Sequence, residues 1–494
     1  MKATAAGLAF PFVHRLAERG GGRRPPNVLL IIVDDLRPVM GCYGGRAITP
    51  NMDRFARSGV LFDHHYVQWP VCGPSRACLM GGLRPDSTGI YGNMQARKIA
   101  ERPQTHPTLP LHFRHNGYMT LSFGKTYHDR GASEGYGWSA PPWLPETGWT
   151  CYVNFPVDRD GTPLKKTNGQ QWMPAVEIYD GPDRLHNDYQ TADRTIAALE
   201  SQRSKPFFIA AGFYKPHLPF VATKRYWDLY DPSAVSLTGH PGLPKGAADF
   251  MYRYAEIRSY GVEPGVLFTE TAPPTDEQAR NLIHAYYAAV SFIDAQIGRI
   301  LRCLEELALS ESTAVVIWGD NGFHLGDHAR WAKHTQFENA MRTPLLVRFP
   351  GKRKAGVVSS ALVETVDIYP TLSDYAGLGL PKHLDGASFL PVVNGKRQER
   401  KIAAYSQIRP VPAGQQHLMA YSVRTARFRY VEWRDAAKED GVVWRELYNH
   451  HIDPSETVSL ADDPRYASEL KKHADLVSKG YASLATKRPP SAVK

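Results

Sequence analysis

Residues 27–35 read NVLLIIVDD, an apolar run that ends in two acids. Strands with one solvated face alternate apolar and polar side chains, and this run shows no such alternation through Val33. The pattern is typical of a strand buried on both faces in a parallel sheet. Ligands of open α/β sheets bind at the carboxyl ends of such strands. Asp34 and Asp35 therefore stand where a binding site is expected.

Similar strand–helix units follow along the chain. Thr49-Pro50 predicts a helix start and Gly59 its end, because proline suits a first helical turn and glycine a helix end. The alternation predicts a large, mainly parallel α/β sheet sandwiched by helices. Further helices are predicted over 108–116 and 275–307, and further strands over 118–123, 207–211 and 313–318.

The last hundred residues have a different pattern. Short strand-like segments joined by polar turns predict a small antiparallel sheet closed by a terminal helix. We therefore divide the chain into a domain over 27–385 and a C-terminal subdomain over 386–494. The Pro/Gly-rich stretches 131–185 and 232–275 are expected to cover the face that carries the strand ends. The predicted C-terminal strands are 402–406, 420–424, 428–433 and 442–448, and the helix is 464–484.

Composition excludes several classes of protein. The 494 residues suggest two to four structural units, and 43% hydrophobic with 22% charged residues argues against a disordered or disulfide-stapled chain. The net charge of +10 favours polyanionic partners. Nucleic acid is not favoured, because no basic stripe is interleaved with aromatic residues. No apolar run is longer than Val28–Val33, so no transmembrane segment is expected.

The amino terminus resembles a targeting leader that is removed from the mature protein. Residues 2–13 form a short apolar run after a lone lysine, and a Gly/Arg/Pro segment continues to Pro26. The run has the length of a signal-peptide core, and it resembles the stretch behind the twin arginines of Tat leaders, although the arginines are absent. Residues 1–26 are therefore interpreted either as a leader, of the Tat type and truncated at its start, or as a disordered tail. A leader implies a periplasmic or secreted protein, and a tail implies a cytoplasmic one.

Two distant strand ends carry oxygen ligands. Asp34-Asp35 ends the first strand and Asp320-Asn321 follows the strand at 313–318. Adjacent acids repel each other unless a cation lies between them, and carboxylate and amide oxygens suit Ca²⁺, with Mg²⁺ as the alternative. Either pair alone is more typical of a turn. The presence of both at strand ends favours a metal site.

The cysteines point to chemistry at one position. Five cysteines fit neither a disulfide framework nor a zinc site. Residues 70–82 read PVCGPSRACLMGG, which places Cys72 at a predicted helix start, where a lowered thiol pKa is expected. Cys-x-Pro-Ser-Arg followed by Gly-Gly resembles the signature of type I sulfatases. On these residues the chain is identified as a member of that family.

The resemblance covers almost all of the chain from Asn27, and it is greatest to the iduronate-2-sulfatase type. It implies an alkaline-phosphatase-like fold and conversion of Cys72 to formylglycine by a maturase. Asn321 departs from that type, in which histidine stands at this position, and this weakens the substrate assignment but not the metal. The phrases that support the type lie at 33–38, 82–91, 213–220 and 421–425.

The resemblance also implies roles for individual residues. Arg76 would hold the formylglycine and its metal, and Lys125 and Lys333 would bind the sulfate. His217 would protonate the leaving alcohol, and His128 would take a proton from the second hydroxyl as sulfate leaves. The implied calcium ligands are Asp34, Asp35, Asp320 and Asn321 together with residue 72.

The implied function is removal of sulfate from a sulfated carbohydrate, with a 2-O-sulfated uronic acid suggested by the iduronate type. Three alternatives stay open at this point. They are a phosphonate or phosphodiester hydrolase of the same superfamily, a non-catalytic binder of sulfated glycans, and an unrelated calcium-binding surface protein. The last would not need Lys125, His128, His217 and Lys333.

Overall fold

The structure is a computed structural model. Part of the predicted leader, residues 1–23, lies outside the described residues, as do parts of the two Pro/Gly-rich stretches. The described residues are 24–101, 105–128, 137–146, 150–154, 173–248, 256–261, 267–269, 272–351, 355–396, 401–410, 417–435, 438 and 441–485.

The strands fall into a large mixed sheet, a C-terminal antiparallel sheet and two short pairs. In chain order they are β1 (Asn27–Val33), β2 (Val60–Phe62), β3 (His65–Tyr66), β4 (Met119–Gly124), β5 (Val176–Tyr179), β6 (Phe207–Phe213), β7 (Phe220–Thr223), β8 (Thr313–Gly319), β9 (Leu345–Arg348), β10 (Val357–Ser359), β11 (Val363–Glu364), β12 (Ala404–Ile408), β13 (Leu418–Arg424), β14 (Phe428–Asp435) and β15 (Val442–Asn449).

The main sheet has seven strands in the order β10-β2-β9-β8-β1-β6-β4. β1 lies at its centre and pairs in parallel with both β6 and β8. β4 is also parallel to β6, whereas β9 runs antiparallel to its two neighbours. The predicted mainly parallel sheet is therefore confirmed, with one reversed strand. This arrangement brings the carboxyl ends of β1, β4, β6 and β8 to one edge.

Helices cover both faces of this sheet, as predicted. The longest, α7, begins after Thr275, whose hydroxyl caps the helix in a capping box with Gln278. The helices are α1 (Pro50–Ser58), α2 (Cys72–Gly81), α3 (Pro85–Thr88), α4 (Leu109–His115), α5 (Asn187–Gln202), α6 (Lys224–Trp227), α7 (Asp276–Glu306), α8 (Glu338–Met341), α9 (Ile368–Tyr375), α10 (Leu390–Val393) and α11 (Ala467–Ala485).

β1 shows how the sheet is stabilised. Leu29, Ile31 and Val33 point into a core formed with α1, α5 and α7. Val28 and Ile32 point into a second core formed with α2, α4 and α9. Both faces of the strand are therefore buried, which explains the unbroken apolar run, and full burial of each such side chain contributes about 1.5–3 kcal/mol.

The C-terminal strands β12–β15 form the predicted antiparallel sheet. It supports the segment that precedes α2. The backbone N–H of Gln407 donates to Gln68 O at 2.9 Å, and Ser406 Oγ donates to Val67 O at 2.6 Å. Trp69 also shares an apolar cluster with Trp433. The C-terminal sheet thereby fixes the chain that leads into Cys72. The division of the chain into a domain over 27–385 and a subdomain over 386–494 stays a prediction.

No helix among the described residues has the length and apolar character needed to cross a membrane.

Candidate active site

Four strands deliver the predicted site residues to one edge of the main sheet. β1, β6 and β8 are buried along their length, β4 alternates buried and partly buried residues, and polar residues follow each of the four strands. β1 leads to Asp34 and Asp35, β8 to Asp320 and Asn321, β4 to Lys125, and β6 to the loop of His217.

The ends of β1 and β8 are joined by the acids themselves. The pairing of the two strands ends at Val33 and Gly319. Just beyond it, the backbone N–H of Asp35 donates to Asp320 Oδ1, with 3.0 Å between nitrogen and oxygen. Asp35 has φ of 56°, which is a strained conformation for a residue other than glycine. Tyr286 Oη donates to Asp35 O at 2.7 Å and helps to hold that conformation. Strain of this kind is typical of functional sites.

Helix α2 carries Cys72 in its first turn and points that turn at the acids. Cys72 Sγ lies 3.8 Å from Asp35 Oδ1. One turn later, Arg76 Nε donates to Asp320 Oδ2 at 2.7 Å, and Arg76 Nη2 lies 3.4 Å from Asp34 Oδ1. Arg76 also donates to the carbonyl of Lys125. A single arginine thus ties β1, β4 and β8 to the helix.

Two glycines allow Lys125 to enter the site. Gly124 ends β4 with φ of +68°, and a Cβ there would collide with the carbonyl of Gly212 in β6. A Cβ at Gly212 would in turn collide with the carbonyl of Lys125. The close approach of the two strands directs the Lys125 side chain to Asp34, with which it forms a buried ion pair.

Gly124→Ala is expected to lower the free energy of unfolding through both the left-handed φ and the collision. The φ strain alone costs about 1–3 kcal/mol. Gly44 is a matched control, because its φ is +76° but open space surrounds its Cβ position. Urea unfolding should show a larger loss for Gly124→Ala than for Gly44→Ala. Equal losses would mean that the approach of β4 to β6 imposes no constraint.

Lys333 and His217 contact Asp35, whereas Arg76 contacts Asp34 and Asp320. Lys333 Nζ donates to both Asp35 carboxylate oxygens, at 2.9 and 2.7 Å. His217 Nε2 lies 3.9 Å from Asp35 Oδ2, and its Nδ1 bonds to the carbonyl of Leu218. The structure thus brings both residues to the predicted site, although they are 116 positions apart.

Glu256 is a site residue that the sequence analysis missed. Its carboxylate lies 3.4 Å from His217 Nε2 and 3.2 Å from Lys333 Nζ. It comes from the Pro/Gly-rich stretch 232–275, where no periodicity or motif marks it. The prediction that this stretch covers the active face was the only available signal.

His128 is less tightly connected. It follows Lys125 by three positions and is partly buried, and its Nδ1 receives or donates no hydrogen bond among the described residues. Burial, with a contribution from Lys125, lowers the pKa of His128 to about 3. His128 is therefore neutral and lies within electrostatic reach of Lys125 and Asp34.

Burial dominates the electrostatics of the acids. It raises the pKa of Asp35 to about 8, with Asp34 and Glu256 adding repulsion and Lys333 opposing it. It also raises the pKa of Asp320 to about 6, against the pull of Arg76. Burial would raise the pKa of Asp34 too, but the positive charges around it, of which Lys125 contributes most, together hold that pKa well below its usual range.

The thiol of Cys72 contradicts the expectation of a lowered pKa. Burial raises its pKa well above the ordinary value, and the charge of Asp34 adds to the effect. The helix start is therefore outweighed by desolvation, since Cys72 is 1% exposed. An unmodified Cys72 would be a poor nucleophile at neutral pH.

The acids form a pocket that fits a divalent cation. The ligand atoms of Asp34, Asp35, Cys72 and Asp320 all lie within 4.8 Å of one another. Asp34 Oδ1 and Asn321 Oδ1 are buried and receive no hydrogen bond from any described residue. Buried acceptors without donors are rare in native structures. A cation bound by oxygen would satisfy both atoms and oppose the repulsion between the acids.

Comparison with known proteins identifies families and relatives that the chain resembles in sequence. The family described as "Sulfatase" matches residues 26–378, and the family "N-sulphoglucosamine sulphohydrolase, C-terminal" matches 326–479. Iduronate 2-sulfatase of Mus musculus is 31% identical, with 90% of this chain and 92% of the relative covered. Iduronate 2-sulfatase of Homo sapiens is 32% identical, with 82% and 84% covered.

Solved structures share the fold. The structure of BT4656 in complex with its substrate D-glucosamine-2-N,6-O-disulfate has a TM-score of 0.74 at 23% identity, covering 95% of this chain and 100% of that one. Phosphonate monoester hydrolase of Agrobacterium radiobacter has a TM-score of 0.75 at 24% identity, covering 93% and 96%.

Proposed function

The chain belongs to the sulfatase family, and from this we propose that it removes sulfate from a 2-O-sulfated uronic acid of a sulfated carbohydrate, using Cys72 converted to formylglycine and one Ca²⁺. One observation carries the proposal. A single pocket holds Cys72, three buried acids, two lysines and a histidine, which come from four strand ends, one helix and the loop of Lys333. The three carboxylates are those of Asp34, Asp35 and Asp320.

The charges of the pocket suit a sulfuryl group. Hydrolysis of a sulfate ester needs positive charge around the sulfuryl oxygens and a proton for the departing oxygen. Lys125 and Lys333 are buried beside Cys72 and supply two positive charges. Once formed, the hydrated aldehyde at position 72 would supply the nucleophilic hydroxyl. A Ca²⁺ held by Asp34, Asp35, Asp320 and Asn321 would supply further positive charge.

His217 is our candidate donor of the proton. Its Nδ1 is engaged with the carbonyl of Leu218, so Nε2 is the atom that faces the pocket. Burial and Lys333 hold the pKa of His217 well below its usual range. The ring is therefore neutral in the free protein, as that of His128 is, and it has to gain its proton when the ester binds. An anionic ester beside Nε2 favours the protonated form before the transfer.

The substrate assignment is supported by two observations. The relatives with 31% and 32% identity are iduronate 2-sulfatases. The net charge of +10 favours a polyanionic glycan. A periplasmic or secreted location and maturation by a formylglycine-generating enzyme belong to the same proposal.

The test is release of sulfate from defined sulfated sugars. The panel holds 2-O-sulfated uronic acids, 6-O- and N-sulfated glucosamines, a phosphonate monoester and a phosphate diester, each assayed with Ca²⁺. The proposal predicts the highest kcat/KM for the 2-O-sulfated uronic acid. A higher value for the phosphonate or the diester would identify the phosphorus ester hydrolase instead. Binding of the glycan without turnover by formylglycine-bearing protein would identify a non-catalytic binder.

His217→Ala is expected to affect sugar sulfates more than aryl sulfates. A sugar alkoxide is much more basic than nitrophenolate and needs a proton in the transition state, and general-acid help is typically worth about 10²–10⁴-fold. The variant should lose about that factor in kcat on the sugar sulfate and much less on nitrophenyl sulfate.

His128→Ala is the matched control for this prediction, because a role that does not depend on the leaving group should lower turnover of both substrates by a similar factor. Equal losses in His217→Ala would assign His217 to sulfate binding. Turnover of sugar sulfates near the wild-type rate would show that His217 merely packs between Pro216 and Pro219.

A further inference from the structure

The segment of Glu256, residues 256–261, is held in place by backbone hydrogen bonds to two other segments of the chain. The N–H of the next residue, Ile257, donates to Trp331 O at 3.2 Å, two positions before Lys333. At the other end of the segment 256–261, Gly261 N donates to Met173 O at 3.1 Å, and Ala175 N donates to Gly261 O at 2.9 Å. The carboxylate therefore has a fixed position, with 12% of its side chain exposed at the opening of the pocket.

Glu256 does not belong to the cluster of Asp34, Asp35, Cys72 and Asp320, although its carboxylate lies within 4.8 Å of ligand atoms of Asp35 and His217. Its carboxylate contacts Lys333 at 3.2 Å and His217 at 3.4 Å, the two groups on the side where a departing alcohol would lie. The metal-facing oxygens belong to the three aspartates. A carboxylate that opposes Lys333 lowers the positive charge offered to an anion, so it is unexpected in a site whose only requirement is to attract one.

The formal charge of the site explains why such a residue is useful. With His217 uncharged, the three cationic side chains Arg76, Lys125 and Lys333 face four carboxylates, and a bound divalent cation leaves these described residues with one net positive charge. A sulfate monoester carries one negative charge and neutralises it. A phosphate monoester carries close to two at neutral pH, since its second pKa is about 6. It would leave one buried negative charge uncompensated.

We propose that Glu256 is a specificity-determining residue that sets the charge of the pocket for monoanionic esters and rejects dianionic phosphate monoesters. The inference rests on the proposed function, because it concerns the ester that enters that same pocket. The selection comes from one carboxylate 3.2 Å from a lysine.

Glu256→Gln is the direct test, because it removes the charge and keeps the shape. We would measure kcat/KM for nitrophenyl sulfate, nitrophenyl phosphate and bis-nitrophenyl phosphate, which share a leaving group. The sulfate and the diester each carry one negative charge, and the phosphate monoester carries close to two. The variant should raise the ratio of phosphate monoester to sulfate by about ten- to a hundredfold, as expected for a unit charge at this range in a partly buried site. The diester-to-sulfate ratio should stay within about twofold, since charge and not phosphorus is selected.

Glu256→Asp is the matched control, because it keeps the charge and should keep the wild-type ratio. A second readout needs no turnover. Inorganic sulfate is a dianion, so removal of one facing negative charge should tighten its binding by about a hundredfold or more, and calorimetry compares Cys72→Ala/Glu256→Gln with Cys72→Ala, both loaded with Ca²⁺. Glu256→Ala serves both assays if the glutamine variant is unstable, because it also removes the charge.

Unchanged ratios and unchanged sulfate binding would overturn the proposal. Equal losses on all three esters, restored by Glu256→Asp, would also overturn it and show that Glu256 only positions Lys333 and His217. These outcomes require an active wild-type enzyme. If formylglycine-bearing wild-type protein hydrolyses no sulfate ester, the proposed function fails instead.

Discussion

Cys72→Ala is expected to give a folded protein whose turnover of sulfate esters is lower by about 10⁴-fold or more, because loss of the nucleophile in covalent catalysis has effects of that size. The fold should survive for a structural reason. Cys72 is buried in the first turn of α2, and its Sγ makes one described polar contact, 3.8 Å from Asp35 Oδ1. Sulfate release and circular dichroism measured on the same preparation check both parts.

Cys78 provides the matched control for this variant. It is equally buried and lies six residues later on the same helix. Cys78→Ala should therefore cost a similar small amount of stability and leave kcat unchanged. If Cys72→Ala retains wild-type turnover, or if both variants lose activity alike, the nucleophile does not reside at position 72.

Asp320→Ala is expected to abolish turnover and to destabilise the protein by about 3–5 kcal/mol, the usual effect of removing one partner of a buried ion pair. Arg76 would lose the acceptor of its 2.7 Å bond, and the Asp35 N–H would lose its acceptor at 3.0 Å. The remaining acids would also bind a cation less tightly. Chemical denaturation and elemental analysis of the purified protein measure the two consequences.

A second buried ion pair separates stability from metal binding. Glu364 pairs with Arg84 at 2.6 Å and with Lys401 at 2.6 Å, away from the pocket. Glu364→Ala should destabilise the protein similarly but keep its metal and its turnover per folded molecule. Added Ca²⁺ should raise the Tm of wild type and of Glu364→Ala, and not that of Asp320→Ala. Full wild-type activity after exhaustive chelation, with no metal detectable, would contradict the cation site.

The parts of the fold that could be predicted depend on local signals. The strand at 27–33 is marked by its unbroken apolar run, and α7 by its amphipathic period and its cap at Thr275. The C-terminal strands at 418–449 are marked by short apolar segments between polar turns. In each case the structure places the element within about two residues of the predicted bounds, as helix and strand ends usually vary.

Fewer of the site residues could be predicted from the sequence without the family resemblance. Position at strand ends predicted Asp34, Asp35 and Asp320, since β1 and β8 obey a general rule for parallel sheets. Lys333 follows no strand directly, and only the family resemblance placed it beside Asp35. Glu256 could not be predicted, because its partners His217 and Lys333 are distant in sequence and its own segment has no pattern.

The thiol of Cys72 shows why local rules fail inside a site. A helix start lowers a cysteine pKa when the thiol is solvated, but here burial and Asp34 dominate. Burial depends on how α2 packs in the core that it shares with β1, α4 and α9, and no window of sequence around residue 72 contains that information. The raised pKa is consistent with a thiol that serves as a precursor rather than as the nucleophile.

The central claim is that hydrolysis depends on formylglycine at position 72, and one measurement tests it most directly. Preparations made with graded amounts of maturase are digested with trypsin, and mass spectrometry of the peptide Ser58–Arg76 gives the fraction in which residue 72 has lost sulfur and two hydrogens and gained oxygen. We predict that kcat on a sulfated sugar rises in proportion to this fraction and extrapolates to zero at zero conversion. Full activity in a preparation that contains only the Cys72 thiol would contradict the claim.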